Sequence, residues 1–186
     1  MSRGFAAIGL VNPKCRENVG SVLRAAGCYE ASLVVIAGNR PDNYMGRINT
    51  DTQKAYRTIP TLRVADVFDA MPYDCVPICV ELLEESKSLV NFVHPERAFY
   101  IFGPEDGTLG AAITKRCKVC IQVPTKFCMN LAATANVVLY DRLAKQIRES
   151  SSGRTRKTPD RLGIQNRQDA ASFAAPSVIA ETWNER

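Results

Sequence analysis

Hydrophobic positions run in two rhythms along this chain. The first is the short, near-continuous apolar run: "FAAIGLV" (5–11), "SLVVIAG" (32–38), "VPICVEL" (76–82), "AFYIFG" (98–103) and "VCIQVP" (119–124). Runs of this kind, rich in β-branched residues and bounded by turn residues, predict strands buried on both faces. The second rhythm is a helical stripe. In "NVGSVLRAAG" (18–27) Val19, Val22, Leu23 and Ala26 recur at helical spacing, with Asn18 placed to cap the start and Gly27 to end it. "NLAATANVVLYDRLAKQIRE" (130–149) carries the longest helical pattern. Shorter helices are expected around 52–57, over "VADVFDAM" (64–71) and from Leu109 to Thr114, while 39–51 is polar and turn-rich.

Strands alternating with helices predict an α/β domain over residues 1–149, a mainly parallel sheet with helices on both faces. No internal repeat is evident. Beyond residue 149 the pattern stops: "SSSGRTRKTPDRLGIQNRQD" is polar and aperiodic. From Lys145 to Arg167, the cations Lys145, Arg148, Arg154, Arg156, Lys157, Arg161 and Arg167 face only Glu149 and Asp160. Residues 150–186 therefore read as a basic polar extension, mobile or ordered by a partner, in which "SFAAPSVIAETW" can pack on the body or on a second subunit.

Composition adds boundaries rather than a function. At 186 residues and 46% hydrophobic, the chain can build a core without metal or disulfide staples. A net charge of +5 permits an anionic partner without requiring one. No apolar run approaches the roughly 20 residues that span a bilayer, and the start lacks a signal-peptide core, so a cytoplasmic protein without a membrane partner is expected. The seven cysteines are odd in number and scattered, a poor disulfide framework. Cys75, Cys79, Cys117 and Cys120 raise the question of zinc. Because Cys117-Lys-Val-Cys120 runs into a strand instead of a tight turn, they read as packing thiols, and no metal is expected.

Ligands of open α/β sheets bind beyond the carboxyl ends of the strands. Three segments meet that description: 12–18, 103–110 and 124–130. The chain's one histidine, His94, lies before a strand and away from those ends, which leaves a histidine triad without its base. Neither a P-loop nor a G-x-G-x-x-G opening is present. In "FGPEDGTLG" (102–110) Gly103, Gly107 and Gly110 allow backbone to approach a ligand closely. Glu105 and Asp106 disfavour a phosphate there and favour a neutral or cationic ligand, although a tight turn with two solvated acids fits the same residues. Gly20, Arg24 and Gly27 are expected on the helix face opposite the apolar stripe, leaving room for a substrate or partner chain beside Arg24. A solvated arginine is the plainer alternative, as turn and cap roles are for Asn12 and Asn18. Lys126, Cys128 and Asn130 precede the last helix, whose N-terminus adds partial positive charge; Cys128 is a reactive thiol or a small packing residue.

Taken together, the three segments resemble the signature motifs of the SpoU/TrmH branch of the SPOUT methyltransferases. "NPKCRENVGSVLRAAG" matches the first motif through Asn18, Gly20 and Arg24, and "FYIFGPEDGTLG" the second. "IQVPTKFCMNLAATANVVLYDR" matches the third through Val123, Pro124 and Asn130. The resemblance covers roughly residues 5–147. It implies transfer of a methyl group from S-adenosyl-L-methionine to an RNA ribose 2′-hydroxyl, on a homodimer packed through its first and last helices. The implied fold ends in a trefoil knot, one of the rare exceptions to unknotted topology. The implied cofactor residues are Val80, Glu81, Phe102, Gly103, Pro104, Gly107, Ile121, Val123, Cys128, Met129 and Ala133, with adenine near the backbone of Val123 and Met129. Arg24, Asn18, Glu105 and Asn130 are the implied catalytic set: Arg24 orients the RNA and stabilises charge, the asparagines position ribose or loops, and Glu105 braces the first helix through Arg24 or Asn18. With the first strand opening at residue 5, RNA contacts are expected from the catalytic domain, its mate and the basic tail, and tRNA is favoured over rRNA. Two positions depart from the family pattern: Cys128 stands where the family has serine, and "LAATA" replaces a hydroxyl with methyl groups. Those departures are what a catalytically inactive RNA-binding module on the same scaffold would rest on. An unrelated α/β cofactor enzyme is a third alternative, without knot or RNA affinity.

Overall fold

The computed structural model describes residues 4–40 and 50–152. Its strands are β1 (Phe5–Val11), β2 (Leu33–Ala37), β3 (Thr61–Val64), β4 (Val76–Val80), β5 (Lys87–Ser88), β6 (Arg97–Phe102) and β7 (Val119–Gln122). The α-helices are α1 (Arg16–Cys28), α2 (Ala111–Thr114) and α3 (Leu131–Ser152). The strands form one seven-stranded sheet in the order β3-β2-β1-β6-β4-β7-β5, every pairing parallel.

Near-continuous apolar runs are explained by cover on both faces. Ile8, Leu10, Val34, Ile36, Ile78, Val80, Tyr100, Phe102 and Ile121 share a core with Val19, Val22 and Leu23 of α1 and with Leu131, Ala135, Val138 and Leu139 of α3. The alternate residues Ala7, Val35, Ala37, Cys79, Phe99 and Ile101 point the other way, onto Val67 and Leu109. Neither side of a central strand meets water, so neither side is polar.

The sheet order also decides where loops meet. β6 inserts between β1 and β4, and β4 lies beside β7. The loops leaving the carboxyl ends of β1, β6, β4 and β7 are therefore neighbours, although they come from four distant parts of the chain.

Several elements differ from the sequence expectation. The edge strands β3 and β5 were not foreseen, and Leu62, Arg63 and Lys87 in them are exposed, so they lack an apolar run. The helices expected at 52–57 and 64–71 are single 3-10 turns, Ala55–Arg57 and Val67–Ala70. In the second, the Asp66 carboxylate accepts the Phe68 N–H at 2.9 Å, and Pro72 follows shortly after its end. Helix α1 starts at Arg16 with Cys15 before it, so Asn18 is inside the helix and caps nothing. Gly20 is buried with Val19 and does not share the exposed face of Arg24, whereas Gly27 is exposed, and a Cβ there would stand 3.1 Å from that of Ala55.

Residues Met1–Glu149 form one compact unit. The basic extension expected at 150–186 lies, beyond residue 152, outside the described residues. Among the described residues no helix is long and apolar enough to cross a membrane. Nor does any group of three or more His, Cys, Asp or Glu residues there fit a metal ion. Cys75 and Cys79 are buried in the core that faces away from α1, with Cys117 and Cys120 packed against it.

Candidate cofactor slot and RNA-facing residues

A slot opens where the chain leaves β4, β6 and β7. Its walls are Val80, Glu81 and Leu82 after β4; Phe102, Gly103, Pro104, Glu105 and Gly107 after β6; and Gln122, Val123, Thr125, Cys128, Met129, Leu131 and Thr134 around and after β7. The β6 loop can fold back this tightly because Gly103 has no side chain: a Cβ there would sit 3.2 Å from both Leu109 Cγ and Leu109 N. Glu81 secures the same fold-back, accepting the Leu109 N–H at 3.0 Å on Oε2 and the Leu82 N–H at 3.1 Å on Oε1.

The three sequence motifs are joined by one directional chain of hydrogen bonds. Asn130 Oδ1 accepts the N–H groups of Ala132 (2.9 Å) and Ala133 (3.2 Å), capping α3. That fixes its amide, so Nδ2 donates to Asn18 Oδ1 at 3.0 Å. Asn18 is in turn left with Nδ2 free to donate, and it does so to Glu105 Oε1 at 2.5 Å. Glu105 ends the relay, because an ionised carboxylate only accepts. It also takes the backbone N–H of Lys14 (2.6 Å) and of Cys15 (3.2 Å). Partial burial works against the Glu105 charge, but the Asn18 amide and these backbone donors outweigh it and hold the carboxyl below its ordinary range. The brace to the first helix thus runs through Asn18 and not through Arg24.

The neighbouring acid is occupied by the chain's own cations. Asp106 accepts from Arg40 Nη2 at 2.7 Å, with Lys14 Nζ 3.5 Å away, and Arg40 holds its carboxyl below the usual range. Asp106 is therefore not a ligand-facing charge, and it lies outside the slot walls.

Of the residues the family resemblance implied for the cofactor, Val80, Glu81, Phe102, Gly103, Pro104, Gly107, Val123, Cys128 and Met129 line the slot. Ile121 and Ala133 do not. Ile121 has its side chain wholly buried in the core facing α1 and α3, and Ala133 is exposed on α3. Arg24 stands elsewhere, in a hollow shared with Ser21, Ala25, Cys28, Thr50, Thr52 and Asn136, donating to Thr52 Oγ1 at 3.1 Å. Leu82, Gln122, Thr125, Leu131 and Thr134 were not foreseen. Leu131 and Thr134 had a signal, since they follow Asn130 by one residue and by one helical turn.

Another polar cluster that sequence reasoning missed lies at the opposite ends of the strands. His94 Nδ1 lies 2.6 Å from Tyr100 Oη and its Nε2 2.8 Å from Asp141 Oδ2. Arg142 donates to the carbonyls of Pro95 and Glu96, each at 2.7 Å, and Lys145 donates to those of Leu89 (2.6 Å) and Phe92 (2.9 Å). Burial holds the His94 imidazole below its ordinary pKa, although the Asp141 carboxylate pulls the other way. This cluster clasps α3 to the segment before β6.

A slot at the carboxyl edge of a parallel sheet is the ligand-binding position of open α/β folds. The family model described as the SpoU rRNA Methylase family matches residues 6–140, and the chain belongs to that family. It is 23% identical over 166 residues to the 23S rRNA (uridine(2479)-2′-O)-methyltransferase of Streptomyces viridochromogenes, covering 83% of this chain and 56% of that protein. The chain thus spans little more than half the length of that curated relative. The crystal structure of the SpoU methyltransferase AviRb from the same organism, in complex with the cofactor AdoMet, is similar at a TM-score of 0.68 and 21% identity, over 83% of this chain and 61% of that one. A structure described as "Structural insights into the 2-OH methylation of C/U34 on tRNA" is similar at a TM-score of 0.68 and 17% identity, over 80% of this chain and 99% of that one.

Proposed function

We propose that this chain is an S-adenosylmethionine-dependent RNA methyltransferase that acts on ribose 2′-hydroxyls, with tRNA as the preferred substrate. The observation that carries the reading is the slot itself. Among the described residues its walls hold two carboxylates, Glu81 and Glu105, and no Lys or Arg. Such a lining repels phosphate and suits a cationic sulfonium, while Val80, Phe102, Val123 and Leu131 offer apolar cover for a purine. When bound, S-adenosylmethionine supplies a methyl group on positively charged sulfur.

The remaining work falls to side chains of this protein. Gly103 and Gly107 bring backbone close to the cofactor, and Glu81 and Glu105 hold the β4 and β6 loops while keeping the slot negative. Asn18 and Asn130 fix the start of α3 against α1, which sets the mouth where the ribose enters. A guanidinium has no lone pair with which to accept a proton, so Arg24 is not the base. Its task is to orient an RNA phosphate and offset charge as the hydroxyl proton leaves to water or to the substrate's own phosphate. Since Arg24 lies outside the slot of its own chain, we infer a homodimer packed through α1 and α3 in which it serves the partner's slot. The exposed Tyr140 and Cys28 lie on those helices.

Support for tRNA comes from the likeness to the structure concerned with C/U34 on tRNA, 99% of which the chain covers. The setting we propose is the cytoplasm, where both RNAs are found. The test is mass spectrometry of nucleosides after incubating the protein with isotopically labelled S-adenosylmethionine and, separately, tRNA and rRNA. Label on a 2′-O-methylnucleoside from tRNA is the expected result. Label in rRNA alone transfers the substrate to rRNA, and no label in either RNA, despite measurable cofactor binding, leaves a binding module.

A further inference from the structure

Phe127 is 74% exposed, yet it sits on the loop from β7 to α3 between Thr125 and Cys128, both walls of the slot. The loop is pinned beneath it. Thr125 Oγ1 donates to the Phe127 carbonyl at 2.8 Å, and the Thr125 N–H donates to Val123 O at 2.9 Å. The ring is therefore presented by an ordered turn. Lys126 Nζ lies 5.5 Å from the ring centroid. The ammonium lies over the ring, which is still mostly exposed, and an accessible aromatic ring with a cation at hand is the pairing that unpaired nucleic acid uses, a base on the ring and a phosphate at the charge.

On the reading that this slot delivers a methyl group to RNA, we propose that Phe127 is the stacking platform for the base of the target nucleotide, with Lys126 on its phosphate. The attacking 2′-oxygen must come within about 3–3.5 Å of the methyl donor. A nucleotide whose ribose enters a slot that far leaves the stack of its neighbours, and its base loses their faces. That base hangs from the adjoining carbon of the same ribose, so it comes to rest on the rim, where the Phe127 ring replaces the lost neighbour. The ring carries no donor or acceptor. It rewards an unstacked base without choosing which base, so the site selects loops or frayed ends over duplex.

The experiment compares full-length Phe127→Ala, Phe127→Leu and Phe127→Trp. The last is made together with Trp183→Phe, which removes the chain's one native tryptophan and leaves the introduced indole as the reporter. Methyl transfer is read on total RNA from cells lacking this gene, cofactor affinity by titration calorimetry, and assembly by sedimentation. Stacking is read as quenching of the introduced indole's fluorescence by mixed-sequence single-stranded oligoribonucleotides. Phe127→Ala is expected to lower kcat/KM for RNA about 5- to 150-fold, mostly through KM, with cofactor affinity and oligomeric state unchanged. Leu should do no better than Ala, whereas Phe127→Trp should keep activity and be quenched by single strands more than by duplex. The proposal is overturned by an Ala variant as active as the parent, by rescue with Leu, or by loss of cofactor binding. A shift in oligomeric state would overturn it too, as would an indole that single strands leave unquenched. Quenching without methyl transfer by the parent protein would retain the platform and sink the methyltransferase reading alone.

Discussion

Glu105→Gln keeps the shape of the side chain and removes only its ability to accept on every side. In the native arrangement Oε1 takes the Cys15 N–H and the Asn18 amide, and Oε2 takes the Lys14 N–H at 2.6 Å. Glutamine has one accepting oxygen. Directed at Cys15 and Asn18, it turns its NH2 onto the Lys14 N–H; reversed, it turns the NH2 onto two donors. Asn18 cannot flip to help, because its oxygen receives Asn130 Nδ2, and Asn130 is fixed by the two α3 N–H groups it caps. Every arrangement loses at least one bond. Hydrogen bonds to charged groups are worth about 1.5–3 kcal/mol, and the exposure of Glu105 places this one at or below the lower end. The expected loss is about 1–1.5 kcal/mol, measured by urea unfolding at pH 7.

The pH dependence tells charge from packing. The folded carboxyl lies below its unfolded value, so its contribution is complete above the unfolded pKa of about 4.3 and declines as pH falls through the folded pKa. The gap between parent and Glu105→Gln should therefore begin to narrow as pH falls below the unfolded pKa of about 4.3 and go on narrowing through the folded value. A variant as stable as the parent at pH 7, or a gap that stays constant down to pH 3, would refute the relay.

Arg24→Ala should lower methyl transfer by at least about 100-fold while S-adenosylmethionine affinity stays within threefold; full activity removes Arg24 from the mechanism. Gly38 has φ +116°, and a Cβ there would fall 1.9 Å from Asn12 Oδ1, so Gly38→Ala should cost about 2–4 kcal/mol in denaturant titration. Adding Asn12→Ala should recover only part of that, since it relieves the clash but removes the 2.9 Å bond to the Asn39 N–H. The folded pKa of His94 is lowered, so stability should be complete above its unfolded value near pH 6.5 and fall, by at most about 1.4 kcal/mol per pH unit, as pH drops through the folded value. His94→Gln should flatten that part of the profile in thermal unfolding; an unchanged slope would assign it to other groups.

What was legible in the sequence followed from burial on two sides. A central strand covered by helices above and by Val67 and Leu109 below has no polar residue to interrupt its run, so β1, β2, β4, β6 and β7 announced themselves. β3 and β5 pair on one side only, expose Leu62, Arg63 and Lys87, and left no such mark. The rule that ligands gather at carboxyl ends picked out the three loops that the Asn130–Asn18–Glu105 relay joins. Their adjacency was not legible, because Glu105 and Lys14 are neighbours only through the insertion of β6 beside β1. The role of Asn18 was hidden for a further reason. A cap and a relay demand the same residue type, and which one applies depends on an amide orientation set 112 residues away at Asn130.

The clasp around His94 did leave a trace that composition alone would miss. Ala135, Val138 and Leu139 mark the buried stripe of α3, and the next positions on it are Arg142 and Lys145. A cation on an apolar stripe is too costly to bury unless polar groups await it there. Here they do: the carbonyls of Leu89, Phe92, Pro95 and Glu96, outside the strands and α-helices, accept from these two side chains, those of Leu89 and Glu96 in addition to the backbone N–H groups of Phe92 and Phe5. The change from leucine to arginine therefore marks where α3 passes from the sheet to a loop. Read that way, the stripe locates both ends of the helix's work: Asn130 closes its N-terminus onto the slot, and Arg142 and Lys145 anchor its body at the far edge. The cap at the slot and the anchor at the far edge thus belong to one helix, joined by the stripe that packs on the sheet.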